Sequence, residues 1–291
     1  MSASRKFEAL TKALPCPPRF LVSAGGVIMA QSICENATCR VRSENTVANG
    51  MAARNVVLVA GGTGGLGRAV SLAFVESGAR VIVTFQRPGD LDELKKTASA
   101  KLVETEGSSL EGYAVDVTDE AAVAKLIEGI VERHGQLDCL VNAVGGYAGG
   151  VKLWDMETNV FEQQLTLNLR AGFVLAKAAA RVMVKQGSGA IVNVASKAAV
   201  DHAAGASAYA ASKAAAVAMV DCLAQDLKGT GVRANSIMPS IIDTAANRKA
   251  MPKADFAKWP KPEEIAKVIL FLCSDQAKLI QGASVPVYGD T

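Results

Sequence analysis

The feature that most constrains this chain is a regular alternation, from residue 55 onward, of short β-branched runs with longer segments of helical periodicity. A short apolar run that is bounded by turn residues fits a strand buried on both faces. Strands that alternate with helices at this spacing are joined by right-handed crossovers and lie parallel in one sheet. The sequence therefore predicts an α/β fold with a doubly wound parallel sheet and helices on both faces.

The individual elements follow from where the period changes. Seven strands are predicted, at residues 56–60, 80–85, 111–115, 137–141, 190–194, 232–237 and 283–287. Helices are predicted at residues 65–77, 168–185, 207–228 and 262–274. Another helix is expected to begin at Thr118 as its N-cap, with Asp119 and Glu120 in the first turn, where acidic side chains favour the helix dipole. Gly78 follows the first helix as a left-handed cap residue. Since neither an internal repeat nor a second composition regime follows Met51, we predict one domain over residues 51–291.

The first fifty residues differ from the rest in charge and pattern. They hold six of the 31 basic side chains but only three of the 28 acidic ones, which accounts for the net charge of +3. Three interpretations of this extension stay open: an appended or mis-started stretch before Met51, an organelle transit peptide, and a secretory signal built on residues 20–30. We expect residues 1–50 to be poorly ordered and the protein to be cytoplasmic, with organelle targeting by this segment left open.

The composition argues against several classes of function. Residues 51–291 carry equal numbers of basic and acidic side chains, whereas a nucleic-acid-binding protein needs a basic footprint. Three of the six scattered cysteines, Cys139, Cys222 and Cys273, fall inside predicted elements and are expected to be small buried apolar residues. Only two histidines are present, which argues against a zinc site. No apolar run reaches the roughly 18 residues that a membrane span requires. We therefore expect neither a metal, a nucleic acid nor a membrane as partner, and a small-molecule substrate is compatible with this composition.

A glycine-rich loop separates the first predicted strand from the first predicted helix. It reads Gly61-Gly62-Thr63-Gly64-Gly65-Leu66-Gly67. Gly61 permits a tight turn off the strand, Gly65 lets backbone N–H groups approach a pyrophosphate, and Gly67 lets the helix pack closely on the strand. Tight turns alone also use glycine, but this loop ends a strand, opens a helix and starts a βαβ unit. That context predicts a Rossmann-type dinucleotide site.

The spacing of this loop resembles the T-G-x-x-x-G-x-G motif of the short-chain dehydrogenase/reductase family, with Ala60 in place of the threonine. The resemblance extends through nearly all of residues 55–289 and includes further motifs in the family's order. These are Asp116, Asn142-Ala143-Val144-Gly145 in place of N-N-A-G, Asn168 in a helix, Ser196 thirteen residues before Tyr209-x-x-x-Lys213, and Pro239-Ser240 followed by Thr244 in place of P-G-x-x-x-T. Several ordered motifs are far more specific than one glycine loop.

The resemblance implies a nicotinamide cofactor and hydride transfer between it and a carbonyl or alcohol substrate. The residues that it implies for cofactor binding are Gly61, Thr63, Gly64, Gly65, Leu66, Gly67, Arg87, Asp116, Val117, Asn142, Ala143, Gly145, Tyr209, Lys213, Pro239, Ile242 and Thr244. The second predicted strand lacks the terminal acid that usually binds the ribose of NAD, and Arg87 is suited to the phosphate of NADP. NADP(H) is therefore favoured over NAD(H), although Arg87 also fits a solvated turn before Pro88.

Tyr209 and Lys213 lie one turn apart on a predicted helix and so share a face. An unperturbed phenol, with a pKa of about 10, is a weak base at neutral pH. A nearby ammonium favours the phenolate, so we expect Lys213 to lower the pKa of Tyr209; an ordinary amphipathic pair with a solvated Lys213 is the alternative. The resemblance implies that Tyr209 is the acid/base, Lys213 its electrostatic partner, Ser196 the residue that orients the substrate oxygen, and Asn168 the holder of a water.

The resemblance also implies a homo-oligomer, either a dimer or a tetramer. In the family, the helices that correspond to residues 168–185 and 207–228 form a dimer face. The second of these segments is rich in alanine, which allows close helix packing. Sequence alone predicts only that a face of small residues exists.

Two stretches resemble the dihydropteridine reductases, a group within the same superfamily. They are Gly145-Gly146-Tyr147-Ala148-Gly149-Gly150 and residues 243–259. That group keeps the tyrosine and lysine, but its usual pattern lacks Ser196 and Asn168 and has an acid after the second strand, so this chain departs from it on three points. Phe256 and Trp259 fit either a lid over an aromatic substrate or an anchor for their loop. A quinonoid dihydropterin reductase is thus one alternative function, and a non-catalytic dinucleotide-binding regulator is another.

Overall fold

Seven parallel strands form the sheet at the centre of this computed structural model, which describes residues 55–104 and 108–291. They are β1 (Val56–Ala60), β2 (Arg80–Phe85), β3 (Ser109–Ala114), β4 (Cys139–Asn142), β5 (Gly189–Val194), β6 (Val232–Pro239) and β7 (Ser284–Val287). Their order is β3-β2-β1-β4-β5-β6-β7. The chain thus runs outward from β1 to β3 and then returns past β1 to β4, which creates a switch point between β1 and β4. The expectations for residues 1–50 and the boundary at Met51 lie outside the described residues.

Helices cover both faces of the sheet and confirm the predicted doubly wound α/β fold. They are α1 (Gly65–Glu76), α2 (Pro88–Glu104), α3 (Glu120–His134), α4 (Thr158–Leu165), α5 (Ala171–Gln186), α6 (Ser207–Asp226), α7 (Ala245–Ala250) and α8 (Pro262–Cys273). All five residues of β1 are buried, as the short apolar run predicts. Val57 and Val59 join one buried cluster, whereas Val56 and Leu58 join the other, because alternate side chains point to opposite faces. No helix in the described part of the chain is long and apolar enough to cross a membrane.

The first turn of α3 differs from the prediction that Thr118 is its N-cap. Asp119 is the cap, and its carboxylate accepts hydrogen bonds from the N–H groups of Ala121, at 2.8 Å, and Ala122, at 3.1 Å. Thr118 instead directs its hydroxyl to Asp116. Two adjacent residues here can both cap a helix, and the acidic one is used.

The predicted helix at residues 168–185 is longer than expected and contains a π turn. It begins at Thr158 as α4, passes through one π turn at Thr166–Arg170, and continues as α5. Asn168 therefore lies inside the helix rather than at its start. α2 and α7 were not predicted, and β3 lies at Ser109–Ala114 rather than at residues 111–115.

The expectation that three cysteines are buried holds for two of them. Cys139 and Cys273 are buried, but Cys222 is exposed on α6. The buried face of α6 includes Val220 and Ala224. Cys222 lies two residues from each, about 200° around the helix, and so faces away from the core.

Candidate active site

The glycine loop leaves β1 through a tight turn that requires glycine. Gly61 has φ of +72°, and its carbonyl oxygen accepts a hydrogen bond from the Gly64 N–H at 3.0 Å. A methyl group at Gly67 would overlap the Gly61 carbonyl oxygen, so α1 packs directly on the turn. The Gly61 N–H donates to Oγ1 of Thr84 at 2.9 Å, which ties the loop to the end of β2. Gly61 thus forms the tight turn off the strand, and Gly67 allows the close packing of the helix, as the sequence predicts.

The N-terminus of α1 forms an open cradle opposite the segment that follows β6. Gly64 and Gly65 are exposed, whereas the Leu66 side chain is buried and anchors the helix. A methyl group at Gly65 would lie 2.9 Å from Cγ2 of Thr244, so glycine keeps this space clear. The first N–H groups of a helix have no partner within it and favour an anion. The cradle therefore fits the diphosphate of a dinucleotide.

The loop after β3 presents a carboxylate at the same edge of the sheet. Oδ1 of Asp116 accepts hydrogen bonds from the Thr118 hydroxyl, at 2.7 Å, and the Thr118 N–H, at 2.9 Å. Both bonds lower the pKa of Asp116. Oδ2 of Asp116 makes no hydrogen bond within residues 55–104 and 108–291 and can accept one from a ligand. The next side chain, Val117, is buried and holds the turn to the core.

The loop after β4 runs beside the glycine loop, as the switch point requires. Asn142 is buried, and its Nδ2 donates to Oδ1 of Asn193 at 2.9 Å. The Ala143 N–H donates to the Ala60 carbonyl oxygen at 3.0 Å. A methyl group at Gly145 would lie 2.8 Å from Oδ1 of Asn168 and 3.0 Å from Nζ of Lys213. Glycine at position 145 therefore lets the chain pass against the lysine.

Tyr209 and Lys213 lie on one face of α6, as their spacing predicts. Lys213 is only 4% exposed, so the interpretation that it is solvated is wrong. Its Nζ donates to the Val194 carbonyl oxygen at 2.9 Å and lies 6.0 Å from the centre of the Tyr209 ring. Burial lowers the pKa of Lys213 to about 8.

The pKa of Tyr209 departs from the sequence-based expectation. Burial is the largest cause and raises this pKa, and the nearby Tyr147 raises it further. A hydrogen bond with Ser196 acts in the opposite direction. The expectation that Lys213 lowers the pKa of Tyr209 is therefore wrong for this structure: the cost of burying a phenolate dominates, and the ammonium is engaged with the main chain.

Ser196 lies two residues beyond β5 and brings a second hydroxyl to Tyr209. It is 8% exposed, and its Oγ accepts a hydrogen bond from the Ala198 N–H at 3.2 Å. Its hydrogen-bonding interaction with the Tyr209 hydroxyl lowers the pKa of that phenol. A pair of hydroxyls at one point can hold the oxygen atom of a substrate while one of them exchanges a proton with it.

Asn168 belongs to the same site, but its amide is already occupied by protein atoms. Its Oδ1 accepts from the Gly146 N–H at 3.0 Å. Its Nδ2 lies within hydrogen-bond distance of the Gly146 carbonyl oxygen, Oε1 of Gln164 and Oγ of Ser212. The side chain thus fixes its neighbours, and the water that Asn168 is expected to hold stays a prediction.

Three residues around this site were not singled out as functional from the sequence: Gln164, Ser212 and Tyr147. Gln164 lies one turn before Asn168, and Ser212 one residue before Lys213, so helical spacing from the motif residues was an available signal. Tyr147 lies within the glycine-rich stretch after β4. Its ring packs edge-on against Tyr209, with centroids 5.0 Å apart and planes at 79°.

Arg87 is not brought into contact with the other predicted cofactor residues. Its side chain is 82% exposed and pairs with Asp90 at 3.0 Å. Pro239 ends β6, and the Ile242 carbonyl oxygen accepts from the Thr244 N–H at 2.8 Å, which shapes the segment over the cradle.

The aromatic pair of the loop after α7 is arranged as an anchor. Trp259 is buried, and its ring centroid lies 5.0 Å from that of Phe256. The guanidinium of Arg248 lies 4.9 Å from the centre of the Phe256 ring and pairs with Asp243. These contacts favour the anchor interpretation over a lid.

The chain is similar to known proteins in both sequence and fold. A family model described as short chain dehydrogenase matches residues 55–255. A 3-oxoacyl-(acyl-carrier-protein) reductase of Thermotoga maritima is 31% identical over 242 residues, which are 80% of this chain and 96% of that protein. The solved structure described as ElxO with NADP bound has a TM-score of 0.74 at 26% identity and covers 81% of this chain and 98% of its own. A xylitol dehydrogenase with NAD⁺ bound has a TM-score of 0.74 at 26% identity and covers 82% of this chain and 100% of its own.

Proposed function

Because the chain belongs to the short-chain dehydrogenase/reductase family and is therefore an oxidoreductase, we propose that it transfers a hydride between a nicotinamide dinucleotide and a carbonyl or alcohol substrate. The observation that carries the proposal is the meeting of the Ser196 and Tyr209 hydroxyls beside a buried Lys213. This group lies at the edge of the sheet that also holds the glycine cradle. Ligands of open α/β sheets bind at this edge, at the switch point.

The roles of the residues follow from their chemistry. When bound, the nicotinamide supplies or accepts the hydride. Ser196 holds the substrate oxygen by a hydrogen bond, and Tyr209 gives it a proton as negative charge develops there. The raised pKa of Tyr209 keeps the phenol protonated at neutral pH, which suits reduction. Lys213 is proposed as the electrostatic partner of the phenolate that forms, a role that requires its ammonium to turn from the Val194 carbonyl oxygen toward the phenolate. Asn168 is proposed to hold a water near Lys213 through which the proton returns.

For the cofactor, the proposed contacts are the cradle at Gly64 and Gly65 for the diphosphate, Asp116 for the adenine end, and Thr244 opposite the cradle. NADP(H) is proposed as the preferred form, because no acid follows β2 at residues 85–87 and Arg87 is present there. An exposed ion pair contributes little, so Arg87 can leave Asp90 for a phosphate. In fluorescence titrations, Arg87→Ala should weaken NADPH binding about tenfold and leave NADH binding unchanged. Lys96→Ala, on the exposed side of α2, is the matched control.

The central test is oxidation of NADPH and NADH by the full chain with ketones, 3-oxoacyl thioesters and quinonoid dihydropterin. Turnover of ketones or thioesters supports the proposed carbonyl reductase. Activity confined to the dihydropterin would favour the pteridine alternative, for which the aromatic Tyr147 beside Tyr209 is the supporting observation. Tight cofactor binding without turnover of any of these substrates would instead support a regulator.

We also propose that the catalytic domain is residues 51–291 and that it assembles as a dimer or tetramer. The family model begins at residue 55, and the match to the Thermotoga relative covers 80% of this chain and 96% of that protein.

The proposed assembly is supported by an apolar face on α5. Phe173 and Val184 there are 46% and 43% exposed, and a second copy of the chain can bury them. Light scattering of the wild type and of Phe173→Glu tests the assembly, with a smaller species expected for the variant.

A further inference from the structure

Tyr147 is held in place through the residues on both sides of it. Gly146 exchanges two hydrogen bonds with the side-chain amide of Asn168, each 3.0 Å long. The Ala148 N–H donates to Oε1 of Gln164 at 3.2 Å. Gln164 and Asn168 are four residues apart along one helix, so two amides from the same helix hold the backbone before and after Tyr147.

Gln164 is a buried polar residue whose side chain is hydrogen-bonded. It is the single buried side chain of α4, and it is 5% exposed. A buried amide is retained only where it is hydrogen-bonded. Its Oε1 accepts both from Ala148 and from Nδ2 of Asn168, the latter at 3.2 Å. An apolar side chain would fill the same space but leave the Ala148 N–H without this acceptor.

The amide pair is connected to the helix of the catalytic tyrosine. Nδ2 of Asn168 donates to Oγ of Ser212 at 3.2 Å, and that hydroxyl donates to the Tyr209 carbonyl oxygen at 2.7 Å. Ser212 is fully buried. One continuous set of hydrogen bonds therefore runs from the loop after β4 to the first turns of α6.

The ring that this set of bonds positions is open to solvent. Tyr147 is 66% exposed although its ring packs on that of Tyr209 in a T-shaped arrangement. A methyl group at Gly149 would overlap the Tyr147 hydroxyl oxygen, and the Gly150 N–H donates to the Gly205 carbonyl oxygen at 2.9 Å. The Tyr147 hydroxyl thus lies against Gly149, and the ring presents an aromatic surface beside the catalytic phenol.

We infer that Gln164 is a positioning residue that, together with Asn168, clamps the loop on both sides of Tyr147. The clamped Tyr147 forms an aromatic wall beside the site, and this wall favours substrates that carry a flat ring next to the carbonyl. The inference rests on the proposed function for the identity of the reaction, but the clamp itself does not. Aromatic pairs gain a modest energy beyond area burial, so the wall discriminates by several-fold rather than absolutely.

The clamp is tested by amide hydrogen exchange in the full chain, which requires no turnover. Gln164→Leu should speed exchange at Ala148 about tenfold or more, because its acceptor is lost. Gln164→Glu keeps an acceptor oxygen and should retain the protection. Gln163→Leu, the same change at the exposed neighbouring residue, is the matched control and should leave this exchange unchanged. Equal exchange in wild type and Gln164→Leu would overturn the clamp.

The selecting role is tested by kcat/KM for an aryl methyl ketone relative to an alkyl methyl ketone. Tyr147→Ala should lower this ratio about fivefold, mainly through KM of the aryl ketone, whereas Tyr147→Phe should keep it. Gln164→Leu should lower the ratio similarly, and in the Tyr147→Ala background it should change the ratio no further. An equal loss for both ketones would make Gln164 merely structural and overturn the selecting role. If the wild type turns over neither ketone, the proposed function and the selecting role both fail for these substrates, while the exchange result still decides the clamp.

Discussion

The ammonium of Lys213 lies 6.0 Å from the centre of the Tyr209 ring, yet its hydrogen bond goes to the Val194 carbonyl oxygen, 2.9 Å away. A buried charge with one neutral partner is poorly compensated for the water that it has lost. This explains why the pKa of Lys213 falls to about 8 and why the phenol receives no lowering from it.

The buried Lys213 should make the stability of the protein depend on pH. Between pH 8 and 10.5 the folded chain releases the Lys213 proton, whereas the unfolded chain keeps it, so the contribution of Lys213 to stability should rise with pH across this window. Lys213→Met removes this contribution. The free energy of unfolding of the wild type relative to Lys213→Met should therefore rise by about 3 kcal/mol from pH 7.5 to pH 10.5. Urea unfolding measures it, with the exposed Lys125→Met as control; a constant difference would contradict the prediction.

Removing the Tyr209 hydroxyl should stop the reaction without disturbing the cofactor cradle. Tyr209→Phe is expected to lower kcat for carbonyl reduction by about 10²–10⁴, the usual contribution of a positioned acid. NADPH affinity should stay within a factor of about two, because the cradle is formed by the loops after β1 and β6. Steady-state kinetics and fluorescence titration check the two parts, and Tyr113→Phe, outside the site, serves as the control. Unchanged turnover in Tyr209→Phe would remove the phenol from the mechanism.

Ser196→Ala should change the pH profile as well as the rate. The hydrogen bond with Ser196 lowers the pKa of Tyr209, so its loss should move this pKa further up. Alcohol oxidation needs the phenolate as base, and its rising limb should therefore shift to higher pH, while Ser196→Thr should keep the wild-type profile. A rate loss in Ser196→Ala with no shift of the limb would limit Ser196 to binding the substrate.

Gly65→Ala should weaken cofactor binding in a way that a second change repairs. The added methyl group would lie 2.9 Å from Cγ2 of Thr244, so one of the two must move. Thr244→Ser removes that methyl group and keeps the hydroxyl that caps α7 at Asn247. We expect a roughly tenfold rise in the Kd for NADPH in Gly65→Ala and recovery in the double variant. Failure of the second change to restore binding would show that this contact does not limit the cradle.

Much of this fold was accessible from the sequence because it depends on local pattern. The run of β1, the glycine loop and the one-turn spacing of Tyr209 and Lys213 each carry their structural meaning within a few residues. Other features depend on contacts between distant segments. The link from Ala148 through Gln164 to Ser212 joins three elements, and the burial that sets the pKa of Tyr209 exists only once they pack. Thr118 and Asp119 are both suitable N-cap residues by sequence, and only the structure shows that Asp119 caps α3.

The π turn at Thr166–Arg170 divides one long helix into two halves, α4 and α5, and rotates the side chains of one half relative to those of the other. The Ala171 N–H donates to the Thr166 carbonyl oxygen, which places one surplus residue in that turn. Each helical residue rotates the chain by about 100°, so removing the surplus residue would swing Gln164 away from the loop while α5 stayed seated on the sheet. The surplus residue thus sets the direction of Gln164 on α4 independently of the packing of α5 on the sheet. Insertion or loss of one residue in this turn is therefore a way to change the entrance to the site without repacking the core.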